Sequence, residues 1–186
     1  MRHFPVLAAI VPCATLLVAC SPQGIHQEVA GTLQLSSSTI AAGAIPDKSG
    51  CKGADTSPEI AWSNPPPGTQ SMALIMDDKD NIEGHLHRHY GFHWLAYNIP
   101  VDRHEFAEGQ PRQSLPDGTQ QGHNDLGQQG YSGPCPGAGS THHYAITVYA
   151  LDTKLTLPGT ANGRQLLSAI DGHILAMGQL VGTYTH

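Results

Sequence analysis

Two stretches far apart in this chain carry the residue types that hold a small anion. Asp78-Lys79-Asp80 runs on to Phe92-His93-Trp94, and Gly133-Pro134-Cys135-Pro136 runs on to His142-His143-Tyr144. Together they place imidazoles, a phenol, a carboxylate and backbone N–H groups at strand ends and in Gly/Pro turns. Convergent donors hold an anion, and a glycine lets a backbone N–H approach it without a side chain in the way. Each stretch also has a plainer reading. Asp78-Lys79-Asp80 suits a solvated turn, His93 a satisfied histidine at the start of an apolar strand, and His142-His143 an exposed strand end.

Histidine offers a second chemistry. The chain has 12, and His85, His87, His89 and His93 share one face of an extended strand by period two, one way to build a metal site. Gly84 and Gly91 frame the cluster and favour a solvated loop instead, so no metal is assigned here and no cofactor is implied. A metal-dependent hydrolase needs three protein ligands and an open position, which His85, His87 and His89 offer only if the glycines allow a fixed cage. Nucleophilic catalysis has less support. No Gly-x-Ser-x-Gly turn is present, and no serine is placed by pattern beside His93 or His142. The reading is a binding protein and not an enzyme.

The charge balance excludes one class of partner. There are 9 Lys and Arg against 15 Asp and Glu, a formal net charge of −6, and the basic residues are scattered. No nucleic acid is expected as a partner.

Residues 1–19 begin Met1-Arg2-His3 and continue as an apolar run from Phe4 to Ala19, too short for a membrane span and suited to a secretory signal. Leu17-Val18-Ala19-Cys20 resembles the lipobox of bacterial lipoproteins. That resemblance implies cleavage before Cys20, a diacylglycerol and palmitate-type anchor on its thiol, and a location in the cell envelope. Ser21 favours the outer membrane or cell surface over the inner membrane. Residues 20–30 suit a tether to the lipid, and residues 31–186 have the length of a single domain. With Cys13 removed and Cys20 lipidated, Cys51 and Cys135 remain. In an oxidising compartment two such cysteines pair. Closing a loop of about 85 residues constrains the unfolded chain by ~4 kcal/mol in the entropic view. A metal pair is the alternative, although neither cysteine has a CxxC neighbour.

The elements that must position the two stretches read as mainly β. Strands are expected at Glu59–Trp62, Ser71–Met76, Phe92–Ile99 and His143–Leu151, with a polar β-leaning segment at Thr32–Ile40. Runs this apolar belong in the centre of a sheet. Residues 101–139 are rich in Gly, Gln, Pro, Asp and Asn without a period, and a stretch of that kind is more often functional than spare. Asn162 followed by Gln165 marks a helix start. Leu166, Leu167, Ile170, Ile174 and Leu175 keep helical spacing to about Met177, with Gly172 dividing the run into one or two short helices, and Leu180–Tyr184 closes as a strand.

Six ordered blocks carry a resemblance. They are Ser57-Pro58 with Trp62 and Pro66-Pro67-Gly68-Thr69; Asp78-Lys79-Asp80; His93-Trp94 with Asn98-Ile99-Pro100; Asn124-Asp125-Leu126-Gly127 with Gly130 to Pro136; His142-His143-Tyr144 with Val148 to Asp152; and Gly172 to Ala176 with Leu180 to Tyr184. Over roughly residues 50–184 the chain resembles the phosphatidylethanolamine-binding protein family, in its bacterial Raf-kinase-inhibitor-like branch. The resemblance implies a Greek-key fold of antiparallel β-sheets with a small anion pocket for phosphate-bearing or phospholipid head groups. Carried over, that pocket is Asp78, His93, Gly133, Pro134, His142 and Tyr144, with Asp78 fixing a histidine ring or meeting a ligand's amine. It also implies an alternative role, docking on or inhibiting a kinase or protease through residues 101–139. Relatives read Asp-Pro-Asp-Ala-Pro where this chain reads Asp78-Lys79-Asp80-Asn81-Ile82. Loss of both prolines is expected to loosen the rim.

Overall fold

Three apolar runs become the long central strands because both of their faces are covered. The computed structural model describes residues 31–83, 88–89 and 91–186. The signal, the tether, Cys20, His85 and His87 lie outside the described residues, and so does the metal reading of the histidine cluster. The strands in chain order are β1 (Gly31–Thr32), β2 (Leu35–Ser36), β3 (Ile60–Trp62), β4 (Ser71–Asp78), β5 (Ile82–Glu83), β6 (Arg88–His89), β7 (Phe92–Ile99), β8 (Glu105–Phe106), β9 (Gln120–Gln121), β10 (Thr141–Leu151) and β11 (Ile174–Thr185). One helix, α1 (Gly163–Ile170), precedes β11.

A six-stranded sheet runs β1-β11-β10-β4-β7-β9, flanked by a three-stranded sheet β2-β3-β8 and a β5-β6 ribbon. Pairing is antiparallel except at the edge, where β1 lies parallel to β11. Alternate residues of the central strands enter two cores. Met72, Leu74, Met76, Trp94, Ala96, Tyr144, Ile146 and Val148 meet Ile60, Trp62 and Phe106 from the small sheet. On the other face Ala73, Ile75, Leu95, Tyr97, Tyr149 and Leu151 meet Leu166 and Ile170 of α1. Burying each large aliphatic side chain stabilises by about 1.5–3 kcal/mol relative to exposure.

The helix starts where the sequence places it. Asn162 Oδ1 accepts from Gln165 N while Gln165 Oε1 accepts from Asn162 N, both at 3.0 Å, a reciprocal cap. It ends earlier than its apolar spacing suggests. Gly172 turns the chain at φ +81°, and Ile174, Leu175 and Met177 lie in β11, a single 12-residue strand. Pairing of β11 with β10 from Thr185 back to Ile174 outweighs the helical pattern of a short apolar run. There is accordingly one short α-helix among the described residues, besides a single 3-10 turn at Asp47–Ser49.

Cys51 and Cys135 are bonded, 84 positions apart with Cα atoms 5.3 Å apart. Of the two readings of this pair, the disulfide holds.

Candidate functional site

Strand register brings both stretches to one end of the central sheet. Asp78, at the end of β4, lies opposite Tyr144 of β10. On the other side of β10, His142 lies opposite Tyr184 of β11. Along β4 and β7, Met76 pairs with Trp94 but Asp77 pairs with Phe92, so β7 carries one extra residue at that point, and it is His93. Such a bulge re-aims a side chain. The His93 ring packs edge-on against Tyr144 with ring centres 5.1 Å apart, and the His142 ring lies over Tyr144 at 6.4 Å.

Hydrogen bonds fix which ring nitrogens remain free. His93 Nδ1 is 2.9 Å from the Ser132 carbonyl oxygen, which can only accept, so Nδ1 carries the proton. His142 Nδ1 is 2.7 Å from Asp78 Oδ2 and donates to that carboxylate. In both neutral rings the lone pair is therefore on Nε2. A neutral Nε2 can only accept a hydrogen bond, and it becomes a donor only when the ring is charged. Burial holds His93 below the ordinary imidazole range, with the Ser132 carbonyl and the charge of Asp78 opposing that effect in part.

Asp78 is itself buried and has partners at both oxygens. Oδ1 accepts from Asp80 N at 2.9 Å and Asn81 N at 3.1 Å, and Oδ2 accepts from His142. A buried carboxylate needs such partners. The neighbouring Asp80 Oδ2 accepts from His143 N at 2.6 Å and from His143 Nδ1 at 2.8 Å. These bonds hold Asp80 below the usual carboxylate range.

The turn at Asp78-Lys79-Asp80 is thus fastened without prolines. Lys79 N donates to His143 O at 2.8 Å, a bond that a proline at 79 could not make. The expected looseness has a structural counterweight.

Tyr144 is fully buried, and its hydroxyl makes no hydrogen bond of full geometry among the described residues, although the Asp78 carboxylate is within its reach. Burial first, and then the negative charge and hydrogen-bond acceptance of Asp78, push its ionisation upward, so it keeps its proton and remains a donor.

Gly133 and Pro134 lie beside His93 but do other work than expected. The Gly133 N–H donates to Asp55 Oδ1 at 2.5 Å, and Arg112 Nη2 holds the second oxygen of Asp55 at 2.5 Å. A Cβ on Gly133 would collide with the Ser49 carbonyl and approach Asp55 Oδ1 to 2.7 Å. This glycine is required for packing against the Ser49-Gly50 turn. The Pro134 carbonyl accepts from Cys51 N at 3.0 Å. Gly133-Pro134 is therefore a braced segment beside the His93 ring, with the Gly133 N–H already engaged.

Several residues that organise this end were not named as pocket residues from the sequence. Asn124 Nδ2 donates to Gly130 O at 2.9 Å and Ser132 Oγ at 3.0 Å, while its Oδ1 accepts from Leu126 N and Gln128 N, both at 3.0 Å. Asp125 Oδ2 accepts from Gly91 N and Phe92 N at the entry to β7. Tyr131 donates to Ser49 O at 2.5 Å, and Tyr184 OH accepts from Lys52 N at 3.1 Å. Asn124-Asp125, Gly130-Tyr131 and Tyr184 were visible within motifs, but Asp55 carried no local signal.

Known proteins share this arrangement of strands. The family model described as phosphatidylethanolamine-binding protein matches residues 36–185. A UPF0098 protein of Methanothermobacter thermautotrophicus is 41% identical over 143 residues, covering 76% of this chain and 91% of the relative. A Mycobacterium tuberculosis protein named as lipoprotein LppC is 38% identical over 176 residues, covering 94% of this chain and 81% of its own. Among solved structures, Escherichia coli YbcL superposes with a TM-score of 0.75 at 29% identity over 84% of this chain and 99% of that one. A homologue from Chlamydia trachomatis gives 0.71 at 34% identity with the same coverage. By the family model and these identities, the chain belongs to the phosphatidylethanolamine-binding protein family.

Proposed function

We propose that this protein is a lipid-anchored binding module of the cell envelope that takes phosphate-bearing head groups or phosphorylated ligands and performs no catalysis on them. Asp78, His93, His142 and Tyr144 form the binding end, with Gly133 and Pro134 as its wall. The observation that carries this reading is the buried Tyr144 hydroxyl, with no full-geometry hydrogen bond and the Asp78 carboxylate within its reach, set beside two imidazoles whose Nδ1 atoms are both committed. A buried polar group left unpaired costs about 1–3 kcal/mol, and a phosphoryl oxygen accepting from Tyr144 supplies the aligned acceptor that it lacks. Neutral His93 and His142 suit a phosphate that still carries a proton, because P–O–H donates to Nε2. A fully deprotonated phosphate calls for a charged ring.

The anchor is proposed at Cys20, on the lipobox-like Leu17-Val18-Ala19-Cys20 and on the likeness to a protein named a lipoprotein. Titration with phosphoethanolamine, followed on the ring signals of His93 and His142, tests the site. Both should shift together, and unchanged signals at millimolar ligand would overturn the reading.

A second reading, docking on a partner protein through residues 101–139, has one observation in its favour. Leu126 is 53% exposed on a turn that Asn124 holds rigidly. Leu126→Asp would abolish partner binding and leave phosphate binding intact.

A further inference from the structure

The disulfide joins a third residue. Cys51 Sγ, Cys135 Sγ and one ring nitrogen of His186 lie within 4.8 Å of one another, and all three residues are exposed. His186 is held in place by its surroundings. Its Nδ1 donates to Pro136 O at 2.8 Å, its backbone N–H donates to Ser140 O at 3.1 Å, and its carbonyl accepts from Gly139 N at 2.6 Å. With Nδ1–H given to a backbone carbonyl, the lone pair of the neutral ring is on Nε2. Metal-bound imidazoles are oriented in this way. On the other side, Cys51 N donates to Pro134 O, so the two sulfurs remain neighbours through backbone contacts as well as through their own bond.

We propose that Cys51, Cys135 and His186 form a redox-gated metal site for a thiophilic divalent cation of the zinc class. In the bonded state the sulfurs have no thiolate to offer. A dithiol reductant opens the bridge: the S–S bond gains two electrons and two protons to become two thiols, and the reductant becomes a disulfide. Zinc then displaces the two thiol protons and is bound by two thiolates and His186 Nε2. The fourth position stays open to solvent, because the site is at the surface. Two sulfurs, one imidazole and one open position are a known zinc ligand set. The metal takes the place of the covalent brace beside Gly133-Pro134, and the Cys51 N–H bond to the Pro134 carbonyl keeps the two thiols close enough to share it. The inference is independent of what the anion site binds.

The test uses the full chain with Cys13→Ser and Cys20→Ser, leaving Cys51 and Cys135 as its only cysteines. It is reduced anaerobically with a phosphine, freed of reductant and titrated with Co(II), then with Zn(II). One Co(II) per reduced chain is expected, with a thiolate-to-metal charge-transfer band and a tetrahedral visible spectrum, both erased by Zn(II). The oxidised chain should show neither band. It keeps His85, His87 and His89, so it reports any imidazole-only binding by that cluster. His186→Ala should weaken binding by more than the roughly 10- to 100-fold typical of losing an outer partner of a metal ligand. No sulfur band in the reduced chain overturns the proposal, as does a His186→Ala titration that overlays the parent. If reduction abolishes the near-ultraviolet circular dichroism, zinc must restore it in the parent and not in His186→Ala. Failure there overturns the proposal too.

Discussion

His142 Nδ1 lies 2.7 Å from Asp78 Oδ2, across the ladder that pairs β10 with β4. The carboxylate is not aimed at an anion. Its other oxygen is held by the N–H groups of Asp80 and Asn81, and the contact with His142 orients that ring. Asp78→Asn replaces an acceptor with an NH₂ on one side, so either the Asp80-Asn81 turn or the His142 tautomer must give way. Phosphate affinity is expected to fall by about 10- to 100-fold, as for other groups that orient a binding ring, with the fold retained. Calorimetry with phosphoethanolamine at fixed pH measures this. Tighter binding by Asp78→Asn would mean that the carboxylate acts mainly by repelling the ligand, and the positioning role would be lost.

Tyr144→Phe separates binding from stability. The hydroxyl is buried with no full-geometry hydrogen bond and the Asp78 carboxylate within reach, so removing it costs little and keeps the ring in the core cluster that includes Ile146, Trp94 and Met76. Stability is expected to be unchanged or to rise by up to about 1 kcal/mol, while phosphate binding weakens at least several-fold. Urea midpoints and ligand titrations on the same samples check both halves. A loss of stability together with unchanged binding would show that the hydroxyl serves the core.

Gly133 was read from sequence as an anion donor, and the structure shows it spending its N–H on Asp55. The difference is physical. A glycine in a Gly/Pro turn announces only that a side chain does not fit, while the partner that excludes it lies 78 positions away in the chain. Gly133→Ala must displace Ser49 O and Asp55, so it should cost about 1–3 kcal/mol, in the range of overpacked interiors. Gly137→Ala, whose added carbon meets nothing nearer than Ser140 Oγ at 3.7 Å, should change little. Equal denaturant midpoints for the two variants would remove the packing account of Gly133.

What could be read from the chain alone follows the range of each signal. Ser71–Met76, Phe92–Ile99 and His143–Leu151 were legible because strands buried on both faces read as near-continuous apolar runs, while the polar extensions to Asp78 and back to Thr141 were not. His93, His142 and Tyr144 were legible as residue types at strand starts. The bulge that turns His93 toward Tyr144 was not legible, because it depends on how β7 registers with β4 and leaves no mark in local composition. The end of α1 was misread for a related reason. Ile174 and Met177 fit a helix by spacing, yet the open edge of β10 claims them. The missing prolines at positions 79 and 82 suggested looseness because the hydrogen bond from Lys79 N to His143 O is visible only in three dimensions.

His93 sets the direction of the pH dependence. Burial lowers its pKa from the ordinary 6.5, so below pH 6.5 the unfolded chain takes up a proton that the folded chain refuses. Stability is therefore fully present above 6.5 and falls as pH drops from 6.5 toward the lowered folded value. Ligand binding runs the other way, because a bound dianion favours the charged ring, and affinity rises as pH falls through the same window. Sulfate keeps its double charge across this range and isolates the protein's contribution, whereas a phosphomonoester titrates near pH 6. Sulfate affinity should increase by at most about tenfold per pH unit for uptake of one proton. His93→Gln should flatten the His93 share of both the affinity profile and the stability profile. Sulfate affinity independent of pH between 7 and about 5 would show that neither His93 nor His142 takes up a proton on binding, and the imidazoles would then serve only as proton acceptors for the ligand.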